Sequence, residues 1–112
     1  MTQKNINRLI VAVVQEQDAE SAISALTQAG YIASRLSSTG GFLGRQNVTL
    51  LVGMSEGDEA EVVETLRKSC RSRIEYVATS LEGSPFNLPL STPVVVGGAT
   101  LFTMTVERFE EI

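Results

Sequence analysis

Two short segments constrain this chain more than any others: Leu9–Val14 (LIVAVV) and Val48–Gly53 (VTLLVG). Both are brief, β-branched and apolar on both faces of an extended chain, the pattern of a strand buried on either side. Only two stretches carry helical periodicity. In the first, Ala19, Ala22, Ile23, Leu26 and Ala29 recur at spacings of three and four; in the second, Val62, Val63, Leu66 and Cys70 line one face. Two helices on one side of a sheet cannot cover its other side. The uncovered face is a sizeable apolar patch on a monomer, so other copies of the chain are expected to close over it in a symmetric ring.

The remaining segments order themselves around these four. Asp18 stands before the first helical pattern as its expected N-cap, with Gly30 placed to stop it. Asp58 and Glu61 have the spacing of a capping box for the second helix, whose outer face carries Glu64 and Lys68 at i, i+4. Tyr31–Leu36 alternates and reads as a strand. Ser37–Asn47 is a polar, glycine-rich connection. Arg73–Leu81 is a further strand, and Glu82–Pro93, which holds Pro85, Pro89 and Pro93, reads as a loop. Val94–Val96 and Thr100–Val106 are extended around Gly97-Gly98. The order β-α-β-β-α-β, with an additional strand pair near the proline-containing loop, predicts an α+β ferredoxin-like sandwich forming one domain over residues 1–112.

Composition narrows the chemistry. Thirteen acidic residues against nine basic ones give a net charge of −4, a poor match for a nucleic-acid backbone. The chain has no His, which removes Ser-His-Asp and Cys-His catalysis and histidine metal sites. Its one Cys, Cys70, excludes an intramolecular disulfide and a cysteine-cluster metal site, and suits a reducing compartment. The six-residue apolar run is too short for a signal peptide or a membrane span. A cytoplasmic binding module, not an enzyme, is the expectation, with no cofactor and no metal.

The segment SSTGGFLGRQN (Ser37–Asn47) carries the most specific chemistry. Gly40 and Gly41 permit close backbone approach to a ligand, and successive N–H groups in such turns cradle anions. Thr39 and its neighbouring serines offer hydroxyls. Phe42 is a large ring in a polar loop, Arg45 a cation, and Asn47 both donor and acceptor. That set suits a nucleotide: ring for base, Arg and backbone for phosphate, amide for base edge. It equally fits a hairpin loop whose Phe folds back on the core. Gly97-Gly98-Ala99 either admits a ligand or neighbouring chain against the backbone, or is a turn between strands. Cys70 reads as a buried small hydrophobe. Arg67, Lys68, Arg71 and Arg73 are explained by solvation and the helix C-terminal dipole. The aromatic platform of an RNA-binding sheet is missing from LIVAVV and VTLLVG.

Three blocks, VAVVQEQD (Val11–Asp18), STGGFLGRQNVTLLVG (Ser38–Gly53) and VVVGGATLFTMTVERF (Val94–Phe109), resemble the PII-like cyclic di-AMP receptor proteins, bacterial relatives of the PII nitrogen regulators. The resemblance runs from about Arg8 to the end of the chain. It implies a homotrimer with ligand clefts between subunits, cyclic di-AMP or another adenine nucleotide as ligand, and a regulatory protein partner. Residue by residue it implies ligand roles for Phe42, Leu43, Asn47, Gly53 and Phe102. Ser34 replaces a threonine and keeps its hydroxyl. Two positions depart from the pattern: Ile32 stands where an arginine is expected, and Glu111 where a glutamine is expected. Losing an arginine forfeits a charge-assisted hydrogen bond of about 1.5–3 kcal/mol.

Overall fold

The computed structural model describes residues 5–37, 47–80 and 89–112. The two doubly apolar segments lie side by side at the centre of a four-stranded antiparallel sheet. They are β1 (Arg8–Gln15) and β3 (Asn47–Met54). The edges are β2 (Ala33–Ser37) beside β3 and β6 (Ala99–Thr105) beside β1, giving the order β2-β3-β1-β6. With α1 (Glu16–Gln28) and α2 (Glu59–Ser69) inserted after β1 and β3, this is the ferredoxin-like arrangement expected from the sequence. The additional pair, β4 (Arg73–Ser80) and β5 (Pro89–Val96), forms a separate two-stranded antiparallel arm between α2 and β6.

Strand parity divides the sheet into two faces. Ile10, Ala12 and Val14 of β1 and Val48, Leu50, Val52 and Met54 of β3 are buried beneath the helices. There they meet Ala19, Ala22 and Leu26 of α1 and Val62 and Leu66 of α2. Leu9, Val11, Val13, Leu51 and Gly53 point the other way and are only partly covered. The bare second face expected from the sequence is present in the single chain.

Local signals held unevenly. Gly30 does end α1: at φ 95° it donates to the Thr27 carbonyl while Tyr31 N–H reaches Leu26 O, a Schellman closure. That closure takes Tyr31, so β2 begins only at Ala33. Asp18 is not the N-cap. The extended backbone of Gln15 starts the helix three residues earlier, and Asp18 lies buried in its first turn. The Asp58–Glu61 capping box does not form either. Asp58 accepts the Ser55 hydroxyl (3.0 Å), and Glu61 accepts the Tyr31 hydroxyl (2.8 Å). Glu64 pairs with Arg67, at 2.7 Å, in place of the expected Lys68. The stretch read as a loop over Glu82–Pro93 becomes strand at Pro89; with a partner on one side only, β5 tolerates proline as an edge strand does.

Candidate functional site

Register places several of the sequence-derived candidates on the bare face. Ser34 pairs with Leu51, Leu51 with Val11, and Val11 with Phe102, so these four form one row across the sheet. At about 4.8 Å between neighbouring strands, Ser34 and Phe102 bracket roughly 14 Å of largely apolar surface. Phe102 is 56% exposed, and Met104 and Leu36 on the same face are also exposed. Ile32, at the mouth of β2, is 82% exposed with no cation in its place. Gly53 lies one row away, opposite Leu9. A Cβ there would come within 3.1 Å of the Ile6 side chain, so this glycine makes room for the chain's own N-terminal segment.

A second group gathers at one end of the sheet. Asn47 opens β3 directly opposite Gln15, which closes β1. Gln15, Asn47, Gly97, Gly98 and Thr100 line an open cleft of about 270 Å³. Gly97 N–H donates to Gln15 Oε1 at 2.8 Å. Both glycines have positive φ, 85° and 87°, and the Arg71 carbonyl presses against Gly97 where a Cβ would stand. The Gly-Gly pair is thus the turn from β5 to β6 and also a wall of the cleft. The ends of the β2–β3 connection, Ser37 and Asn47, meet at this same end of the sheet. Thr39, Gly40, Gly41, Phe42, Leu43 and Arg45 lie outside the described residues.

Arg73 is the clearest correction to the sequence reading. It is not part of a solvated helix-end cluster. It opens β4 and reaches back to the buried Asp18, Nη2 to Oδ1 at 2.9 Å. That hydrogen bond is the first cause of the upward shift of the Arg73 guanidinium. Cys70 is buried as expected, and burial, with the Asp18 carboxylate adding, pushes its thiol up to about 11 against the opposing pull of Arg73. A buried thiol protonated at neutral pH is no nucleophile. Among the described residues no three carboxylate or sulfur ligands converge as a metal site, and no helix is long and apolar enough to cross a membrane.

Sequence reasoning missed Gln15, Thr100 and Ile6. Gln15 was visible only as the polar residue that ends the first apolar run; nothing local marks it as facing Asn47 across the sheet.

The structure thus combines an α+β ferredoxin-like sheet, one bare apolar face and a polar, glycine-walled cleft at the end of that sheet. The chain belongs to the cyclic-di-AMP receptor family, whose model matches residues 7–112. It is also similar to the crystal structure of a functionally unknown protein from Pediococcus pentosaceus ATCC 25745. The identity is 33% and the TM-score 0.75, over 96% of this chain and 98% of that one. The family is PII-like, and membership supports nucleotide binding.

Proposed function

We propose that the protein is a non-enzymatic sensor that binds cyclic di-AMP in clefts between the subunits of a cytoplasmic homotrimer and so regulates a partner protein. The observation that carries this reading is the joint placement of the candidates. Ser34 and Phe102 share a bare apolar face, and Asn47, Gly97 and Gly98 share the adjoining polar cleft. An apolar face of this kind is stable in water when another copy covers it, and covering it turns the open cleft into a site between subunits. In this reading Phe42 and Phe102 contact the bases, Asn47 and Ser34 hydrogen-bond to the ligand, and Arg45 faces a phosphate. Binding alters the surface offered to the partner.

Calorimetric titration with cyclic di-AMP, with ATP, AMP and cyclic di-GMP as controls, tests the ligand. The expected result is selective binding near one ligand per chain and no turnover of the nucleotide. Phe42→Ala is expected to weaken it by about 1–3 kcal/mol, the usual worth of base–aromatic stacking. Unchanged affinity in that variant removes the stacking role. Light scattering is expected to give about three times the 12.1 kDa chain mass.

Ile32 and Glu111 favour a second reading, in which the receptor has turned to another adenine nucleotide or acts through protein contacts alone. Ile32 offers no charge for a phosphate from its exposed position, and Glu111 adds a negative one. Absence of heat with cyclic di-AMP, together with binding of one of the control nucleotides, selects this reading.

A further inference from the structure

The β4–β5 arm is rooted at the candidate site. Its first cross-strand pair is Arg73 with Val96, and Gly97 follows immediately. Two side chains from the β1–α1 turn hold this root from beneath. Asp18 takes Arg73 at the base of β4, and Gln15 takes the Gly97 N–H just past the end of β5. The two holds differ in where they lie. Asp18 is buried, 4% exposed, and does not line the cleft. Gln15 lines the cleft itself, facing Asn47.

The carboxamide of Gln15 is oriented by chemistry. A backbone N–H needs an acceptor, so the oxygen must face Gly97 and the N–H₂ group is left for the cleft. Its two ends therefore serve two bodies: the acceptor holds the arm, and the donors suit an acceptor atom of a bound ligand, such as a phosphate oxygen or ring nitrogen. Gly97 sits tight against the base of the arm: a Cβ there would meet the Arg71 carbonyl oxygen, with Arg73 Nη1 close by. A ligand that draws on the Gln15 amide changes the hold on Gly97, which is joined directly to the last residue of β5.

We infer that Gln15 is the positioning residue that couples occupancy of the nucleotide cleft to the β4–β5 arm. This rests on the proposed nucleotide reading, and it adds the route by which binding reaches the arm.

Two variants separate the two ends of the side chain. Gln15→Leu removes acceptor and donors together. Gln15→Glu keeps an acceptor for Gly97 N–H but replaces the donors with a negative charge. Hydrogen exchange at the backbone amides of the full chain is followed with and without saturating cyclic di-AMP, and affinity is measured by calorimetry. Without ligand, Gln15→Leu is expected to speed exchange at Gly97 about two- to tenfold, the equivalent of one lost hydrogen bond, while Gln15→Glu stays near the unmodified protein. With ligand, the unmodified protein is expected to gain protection at Gly97 and along β4 and β5. Gln15→Leu at saturation is expected to show none of that gain. Gln15→Glu is expected to lose about tenfold or more in affinity.

Equal exchange at Gly97 in ligand-free Gln15→Leu overturns the anchor. Ligand-induced protection of the arm that survives in Gln15→Leu overturns the coupling. If the unmodified protein binds neither cyclic di-AMP nor ATP, AMP or cyclic di-GMP, the nucleotide reading falls and the coupling with it. The ligand-free comparison still decides whether Gln15 anchors the arm, so the two failures are told apart.

Discussion

The sheet body and the β4–β5 arm are made of similar material and meet different fates. In the body, Leu50 and Val52 of β3 are fully buried because two helices cross their face. In the arm, Ile74, Tyr76 and Val95 are more than half exposed, because β4 and β5 pack mainly against each other. Strand-forming residues are enough to pair two strands, but burial needs a second layer. A compact chain of this length has a radius of gyration of about 13 Å; here it is 18.2 Å, within a molecule 66 Å long. A two-stranded ribbon is marginal in water by itself. The arm therefore depends on its root, where Asp18, Gln15 and the Gly97 turn tie it to the body.

Substitutions can break this contrast. The largest effect is expected in the body. Leu50→Ala, in a site with no exposed surface, should lose about 2–5 kcal/mol in a denaturant melt. A cost as small as that of an arm substitution would mean the body core is not what holds the fold.

Next is the root. Asp18→Ala leaves Arg73 without its buried partner and should lower the denaturant midpoint by less than Leu50→Ala does, because the Arg73 guanidinium then turns to water. Its signature should be faster hydrogen exchange in β4 ahead of the sheet.

Tyr31→Phe removes the hydroxyl donated to Glu61 and should cost about 1 kcal/mol. It should also alter the alkaline limb. Burial first, then the hydrogen bond to Glu61, pushes the Tyr31 phenol up to about 12 from its ordinary 10.0. The fold holds the neutral form, so its contribution is complete below pH 10.0 and is lost as pH rises towards 12, where only the unfolded chain ionises. A melt series across that range should fall less steeply for the Phe variant.

The smallest effects belong to exposed positions. Ile74→Ala in the arm should stay within about 0.5 kcal/mol for the isolated chain. Glu64→Ala, which breaks an exposed pair with Arg67, should cost about 0.2–0.5 kcal/mol. A large loss at Ile74 that grows with protein concentration would place the arm in an interface.

What was legible in the sequence follows the range of the interactions. β1 and β3 were visible as short β-branched runs apolar on both faces, and both helices because burial on one face is a periodic signal. Gly30 was visible because a positive φ selects its residue locally. The bare face was visible as simple counting: two doubly apolar strands against two helices. Asp18 was misread because its partner, Arg73, is 55 residues away, while the alanines beside it imitate a capped helix start. Pro89 and Pro93 hid β5, since proline excludes a central strand but not a ribbon edge. For the candidate site, Ser34 and Phe102 were proposed through resemblance and Asn47 also through the chemistry of its own loop, and their common face follows from strand parity. Gln15 was not, because its role comes from two neighbours brought in by topology, Asn47 across the sheet and Gly97 at the root of the arm, 82 residues away.

Pro93 sits within β5, opposite Tyr76, with no N–H to offer. An exposed ribbon with an apolar side invites a passing strand to add to its edge, and repeated addition is how fibrils grow. A missing donor interrupts the ladder such an incoming strand needs. The same residue that disguised β5 as a loop leaves the arm exposed for other contacts while making it a poor seed for aggregation.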